Sequence, residues 1–196
     1  MDFLIKELDI SFNHKELIEY VEILEKDFQH LKWMPTEENL KTIKDYEKHN
    51  YTGLYGWSIQ SNLEDLTIPC PPYDVHKNGS TVYRDTELMF GFVLKLKQLF
   101  PGIRQLGITA HPANVRIAEH IDNTEYIKIH IPVTSNPQSY FTFGDKQFVM
   151  EPGKMYLVNT TETHATNNLG DSVRIHMLFK VPTEQWLEVS QITAIL

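Results

Sequence analysis

The sequence holds a single cysteine, Cys70, so no disulfide can form within the chain. A reducing compartment, the cytoplasm, is the expectation. No lysine- and arginine-rich block appears, and the formal net charge is -8. A nucleic-acid backbone, which clustered cations bind, is therefore not an expected partner. No apolar run approaches the roughly 20 residues of a membrane-spanning helix, so no membrane is expected either. The stretch 1–9 carries early acids and no basic segment, which does not read as a secretory signal. The glycosylation pattern at Asn50, Asn78 and Asn159 accordingly reads as coincidence. Internal repeats and low-complexity segments are also missing.

What is present divides at about residue 104. A length of 196 residues suits a single domain over 1–196. Its parts are a helical N-terminal portion with substrate-side loops (1–104), a β core (105–180) and a C-terminal helix (181–196). Phe3, Leu4 and Ile5 suggest a short strand. Asn13 can cap a helix over about 14–31, in which Leu17, Ile18, Val21, Leu24 and Phe28 recur at helical spacing. Pro35-Thr36-Glu37-Glu38 opens a second helix ending near Lys48. The stretch 51–61 is aromatic, glycine-rich and strand-like. Prolines 69, 71 and 72 with Gly79 mark 66–80 as a long loop, equally a binding lid or a connector. Thr86 or Asp85 caps a helix over about 86–99, with Leu88, Phe92, Leu94 and Leu96 or Phe100 on its buried side, and Pro101-Gly102 ends it.

From Arg104 onward the apolar pattern alternates with period two. Eight short strands are expected, at 105–109, 114–118, 126–133, 140–143, 147–150, 154–159, 163–166 and 173–180. Turn residues separate them, among them Gly144-Asp145 as a hairpin and Pro152-Gly153. Many short strands with turn signals predict a mainly β fold with flanking helices, a sandwich or barrel of the jelly-roll kind. Thr183–Leu187 begins a short C-terminal helix.

The chemistry centres on His120 and Asp122. In an extended strand, residues two apart point to one face, so an imidazole and a carboxylate at that spacing can converge on one metal ion. His164, following the strand 154–159, can supply a second imidazole. Two His and one carboxylate with open positions form the ligand set of non-haem Fe(II) oxygenases. Ten residues on, Arg174 heads an apolar strand. A guanidinium pointing into a barrel needs an anionic partner, because an unpaired buried charge is costly. A dicarboxylate co-substrate would satisfy it bidentately.

His120-x-Asp122, His164 and Arg174 together resemble the metal and co-substrate motif of Fe(II)/2-oxoglutarate-dependent oxygenases. Within that group, Gly107-Ile108-Thr109-Ala110-His111-Pro112 through His120, the run Lys128 to Val133, and Asn159 to Leu178 resemble the aspartyl/asparaginyl β-hydroxylase-like family, which includes free-proline hydroxylases. The resemblance covers roughly 105–180; the first hundred residues match no motif. It implies a double-stranded β-helix (jelly-roll, cupin-like) core and Fe(II) held by His120, Asp122 and His164. It also implies 2-oxoglutarate as co-substrate on Arg174, His130 and Thr109, with O2 as oxidant. The animal peptide hydroxylases of the family lack the carboxylate ligand. Asp122 therefore points to the small-molecule branch, and against halogenation, which needs a vacant position at the metal. The implied activity is hydroxylation of an unactivated C–H of a small molecule, such as the free amino acid proline.

Plainer readings stand beside these. His130 can be a hydrogen-bonded core histidine, and His111 and His176 read as structural. Trp57 is a candidate for the pocket wall, although Trp packs in cores by default. Arg116 can face the substrate or solvent. Asn159 and Asn167, flanking His164, can orient ligands through hydrogen bonds. The alternatives for the whole chain are a protein or peptide side-chain (Asp/Asn-type) hydroxylase and a non-catalytic cupin-like module binding a metal or small anion.

Overall fold

The computed structural model describes residues 2–42, 53–72, 80–122 and 125–196. Two antiparallel sheets form its centre. The larger runs in the order β1 (Ile5–Glu7), β11 (Tyr156–Val158), β8 (Tyr126–Thr134), β13 (Arg174–Pro182), β6 (Arg104–His111) and β3 (Tyr55–Ser58). The smaller is β10 (Lys146–Phe148), β9 (Ser139–Phe143), β12 (His164–Asn168) and β7 (Val115–His120). The eight expected strands are all there. The β9–β10 hairpin turns at Gly144 with φ 57 and registers Phe143 opposite Lys146. Positive φ at the first turn position is what a type II′ turn requires of glycine.

Strand alternation splits the larger sheet into two environments. Ile127, Ile129, Ile131 and Val133 of β8, with Met177, Phe179 and Val181 of β13, face outward into the main hydrophobic core. Two helices cover that face. The first, α1 (His14–Asp27), buries Leu17, Tyr20, Val21 and Leu24, and the Asn13 side chain accepts from Lys15 N as its cap. The other covering helix spans Phe92–Leu99 and buries Phe92, Val93 and Leu96. It is shorter than the expected 86–99 because Gly91, at φ 56, breaks the backbone ahead of Phe92. Within the helix Phe92, Val93 and Leu96 take the inward face, so Leu94 is exposed rather than buried. The inner face of the same strands carries Lys128, His130, Arg174 and His176. The principal core therefore lies outside the β-sandwich, which leaves the space between the sheets to polar groups. A smaller apolar cluster of Phe141, Phe143, Met150, Tyr156 and Val158 closes one side of that space.

Other elements are short. Helix α2 (Glu37–Leu40) is capped by Thr36; its expected continuation toward Lys48 lies outside the described residues, as does most of the 66–80 loop. Helix α1 gives way after Asp27 to a 3-10 turn at Gln29–Leu31. The strand-like stretch 51–61 is described from Gly53 and forms β3 and β4 (Gln60–Ser61), the latter paired with β5 (Arg84–Asp85). Beyond a 3-10 turn and a helix at Trp186–Ser190, β14 (Thr193–Ile195) runs parallel to β2 (Asp9–Ser11). Gly56 is demanded by crowding: at φ 153, a Cβ there would lie 1.9 Å from the Ile108 carbonyl oxygen. Among the described residues no helix is long and apolar enough to cross a membrane.

Leu24 is fully buried between α1 and the larger sheet. Leu24→Ala should cost about 2–5 kcal/mol through lost transfer energy and an unfilled cavity. The urea midpoint measures this, and metal affinity should be unaltered because the cavity opens on the outer face.

Candidate metal centre and anion cavity

The antiparallel pairing of β7 with β12 puts His120 directly opposite His164. Their ring centroids are 4.4 Å apart. Asp122 follows β7 on a short extension that donates its backbone N–H to the Thr160 carbonyl at 3.0 Å. Its Oδ1 lies 3.8 Å from His120 Nε2 and its Oδ2 3.8 Å from His164 Nε2. One ligand atom from each of the three residues falls within 4.8 Å of the others.

Both imidazoles are oriented by the same device. His120 Nδ1 donates to the Ala118 carbonyl at 2.7 Å, and His164 Nδ1 to the Glu162 carbonyl at 2.9 Å. A proton held on Nδ1 leaves the Nε2 lone pair turned toward the carboxylate, the tautomer a metal ligand requires. Phe141 and Phe143 stack beside the His164 ring. Burial pushes His164 down to about 4 and keeps it neutral. Burial alone would raise the Asp122 carboxyl, but the Lys128 ammonium, with His164 and His120, holds it below the usual carboxylate range. The set thus comprises two imidazoles and one carboxylate, which suits a divalent first-row ion.

Lys128 was not among the residues the sequence singled out. Its Nζ lies 2.7 Å from Asp122 Oδ2. The available signal was that Lys128 and His130 share one face of β8 while Ile127, Ile129 and Ile131 share the other.

The same cavity extends from the three ligands to Arg174 and is lined also by Thr109, His111 and His130. Arg174 is 6% exposed, and burial draws its guanidinium down to about 10. Its plane lies over Phe141, 5.3 Å from the ring centroid. Among the described residues no carboxylate pairs with it, and its Nε has no hydrogen-bond partner. Thr109 Oγ1 and His130 Nε2 are buried and equally without partners there. A guanidinium, a hydroxyl and an imidazole left unsatisfied around one space fit an anion with several acceptor oxygens.

His111 and His176, expected to be structural, take part in this environment. His111 stands opposite Arg174 in the β6–β13 register and lines the cavity. His176 Nδ1 lies 3.4 Å from His130 Nδ1, behind the cavity wall. Burial first, and the Arg174 charge next, push His111 down to about 3. Burial, with Arg174 again contributing, holds His176 well below its ordinary value.

Two expectations are corrected. Trp57 does not form the pocket wall: it is 1% exposed in the outer core, and its indole N–H donates to the Phe28 carbonyl. It shares the outward parity of Ile59, which turns it toward the helices. Arg116 is exposed on β7 and pairs in register with Asn167, facing away from the cavity. Asn159 acts on backbone rather than on a ligand ring: its Nδ2 donates to the Phe3 carbonyl and its Oδ1 accepts from Thr161.

A family model described as Aspartyl/Asparaginyl beta-hydroxylase matches residues 73–183. No curated protein matches the sequence. Among solved structures, a prolyl-4-hydroxylase from Pseudomonas putida superposes with a TM-score of 0.52 at 9% identity, over 92% of this chain and 93% of that one. The viral collagen prolyl hydroxylase of Paramecium bursaria Chlorella virus-1, solved with 2OG, gives 0.50 at 6% identity, over 91% and 96%. These two likenesses are of fold, and they agree with the double-stranded β-helix reading.

The buried histidines make the metal-free protein acid-sensitive. Unfolded imidazoles protonate below about pH 6.5. The folded chain keeps His111, His130, His164 and His176 neutral to lower pH. Unfolding near pH 5 should therefore take up about four protons, and stability should fall as pH drops from 6.5 toward 4. Urea midpoints measured from pH 7.5 to 4.5 test this; a constant midpoint contradicts it.

Proposed function

This chain belongs to the aspartyl/asparaginyl beta-hydroxylase family, and from that premise we propose that it is an Fe(II)- and 2-oxoglutarate-dependent dioxygenase acting on a small molecule. The preferred substrate class is a free amino acid, with proline as the first candidate. The reaction converts substrate, 2-oxoglutarate and O2 into hydroxylated substrate, succinate and CO2. One observation carries the reading: a His120–Asp122–His164 cluster shares a cavity with a buried, unpaired Arg174.

Bound iron would supply the activation of dioxygen and the oxidation of the C–H bond. The chain's own residues do the rest. His120 and His164 present Nε2 lone pairs because backbone carbonyls hold their Nδ1 protons. Asp122 stays ionised through Lys128 and supplies the anionic ligand. Arg174 takes the distal carboxylate of 2-oxoglutarate, with Thr109 and His130 offering further hydrogen bonds. Three neutral histidines near Arg174 offer polarity without adding positive charge. Ile117, Phe141 and Leu178 in the walls restrict water.

The decisive assay loads the protein anaerobically with Fe(II), adds 2-oxoglutarate, O2 and a panel of amino acids and peptides, and measures succinate. Absence of succinate under every condition, uncoupled turnover included, would sink the proposal. His120→Ala should reduce succinate to background. Arg174→Ala should raise the 2-oxoglutarate requirement about 100-fold, equivalent to about 3 kcal/mol of lost charge-assisted hydrogen bonding.

A further inference from the structure

A second cavity opens off the inner face of the same three central strands, at their other end. Arg104, Gln105, Glu125, Tyr126, Lys180 and Tyr83 line it, around a volume of about 280 Å³. That is just below the range of small-molecule sites, roughly 300–1,000 Å³, and suits a small ligand.

Its position follows from register. Lys128 marks the level of the metal ligands through its contact with Asp122. Lys180 stands opposite Lys128 in the β13–β8 register, and Tyr126 lies two residues further along β8. Two residues of strand span about 7 Å. Arg174 lies in the opposite direction, six residues or about 20 Å from Lys180 along β13. A co-substrate extending from the metal toward Arg174 therefore leaves the Gln105 side for the molecule to be oxidised.

Gln105 makes this a built site. Its backbone is left-handed at φ 54; among described non-glycine residues only Asn114 shares that sign. Such a conformation is sparsely populated and accumulates where function demands it. The side chain is 2% exposed, and neither Oε1 nor Nε2 has a hydrogen-bond partner among the described residues. A buried amide with both ends unsatisfied is costly unless a ligand completes it. Beside it, Arg104 donates from Nη1 to the Tyr126 hydroxyl at 2.8 Å and rests over that ring. The described lining carries two cations, Arg104 and Lys180, and one carboxylate, Glu125.

We propose that this cavity orients the primary substrate, an α-amino acid, whose carboxylate meets Arg104 and the Gln105 Nε2–H while its amino group meets Gln105 Oε1 on the Glu125 side. This rests on the dioxygenase reading and adds to it the residue that reads the substrate. Small size, paired donor and acceptor, and an excess of one cation are the features an α-amino acid complements. A neutral apolar molecule would leave Gln105 unpaired.

The test uses the full chain labelled with 15N, with and without Zn(II), titrated with L-proline, L-aspartate, L-asparagine and pyrrolidine. The Gln105 side-chain NH2 signals are assigned from the spectrum of Gln105→Asn. Asparagine tolerates the left-handed backbone, so that variant keeps the turn while withdrawing the amide by one methylene. At least one of the three amino acids should shift these signals saturably, and pyrrolidine, lacking the carboxylate, should not. Gln105→Asn and Arg104→Met should each weaken that amino acid about tenfold. The assignment is overturned if all three leave the Gln105 signals unmoved, or if one binds with equal affinity to wild type and both variants. Titration with 2-oxoglutarate forms a separate arm. Its failure to bind the Zn(II)-loaded wild type would refute the dioxygenase reading, whereas its binding alongside unmoved Gln105 signals would refute only the substrate site.

Discussion

A guanidinium enclosed between two sheets, with no carboxylate beside it among the described residues, is the constraint around which this molecule is arranged. Burying an unpaired charge costs several kcal/mol, and among the described residues of the cavity the Phe141 face offsets only part of it. Arg174 lies on an aromatic face, among imidazoles that its own charge helps to keep unprotonated. A protein carrying such a feature must draw its stability from elsewhere. Here the source is the apolar layer between the larger sheet and its two covering helices.

Strand alternation makes that separation possible. Along β8 and β13 every second side chain belongs to the outer core, while Lys128, His130, Arg174 and Leu178, of the opposite parity, face the cavity. One strand thus contributes to stability and to chemistry through opposite faces, and a one-residue slip of register would exchange the two. The pairing of β7 with β12 fixes the remaining geometry, because setting His120 opposite His164 leaves Asp122 only a short extension to travel.

The elements that were legible in the sequence are those with a repeating signal. Eight strands of the β core could be read from alternation and turn residues. His120 and Asp122 could be read from their spacing of two on an extended strand, His164 as the second imidazole the set needs, and Arg174 because a guanidinium is expensive to bury without a partner. Lys128 was not legible: a lysine on a strand ordinarily marks the solvent face, and only the smaller sheet, covering that face, turns it inward. Trp57 was left between pocket wall and core because glycine on one side and serine on the other hide its strand parity. The helix break at Gly91 depends on a single backbone conformation. Strands of three residues, such as β2 and β14, are too short to carry any period. Gln105 gave no signal in the sequence, since its significance lies in the absence of partners in three dimensions.

The first strand seals the edge of the larger sheet beside β11, and Asn159, at the turn leading to His164, is hydrogen-bonded to the Phe3 and Leu4 backbone. Those partners are separated by 156 positions in sequence, and β2 likewise pairs with the distant β14. Contacts this distant close at a high entropic cost and form slowly. During synthesis on a ribosome, β1 must therefore wait for most of the remaining chain before it has a partner. That late pairing braces Asn159, five residues before His164, while the β7–β12 pairing sets the two histidines opposite each other. The brace behind the second imidazole is thus among the last parts of the fold to be put in place.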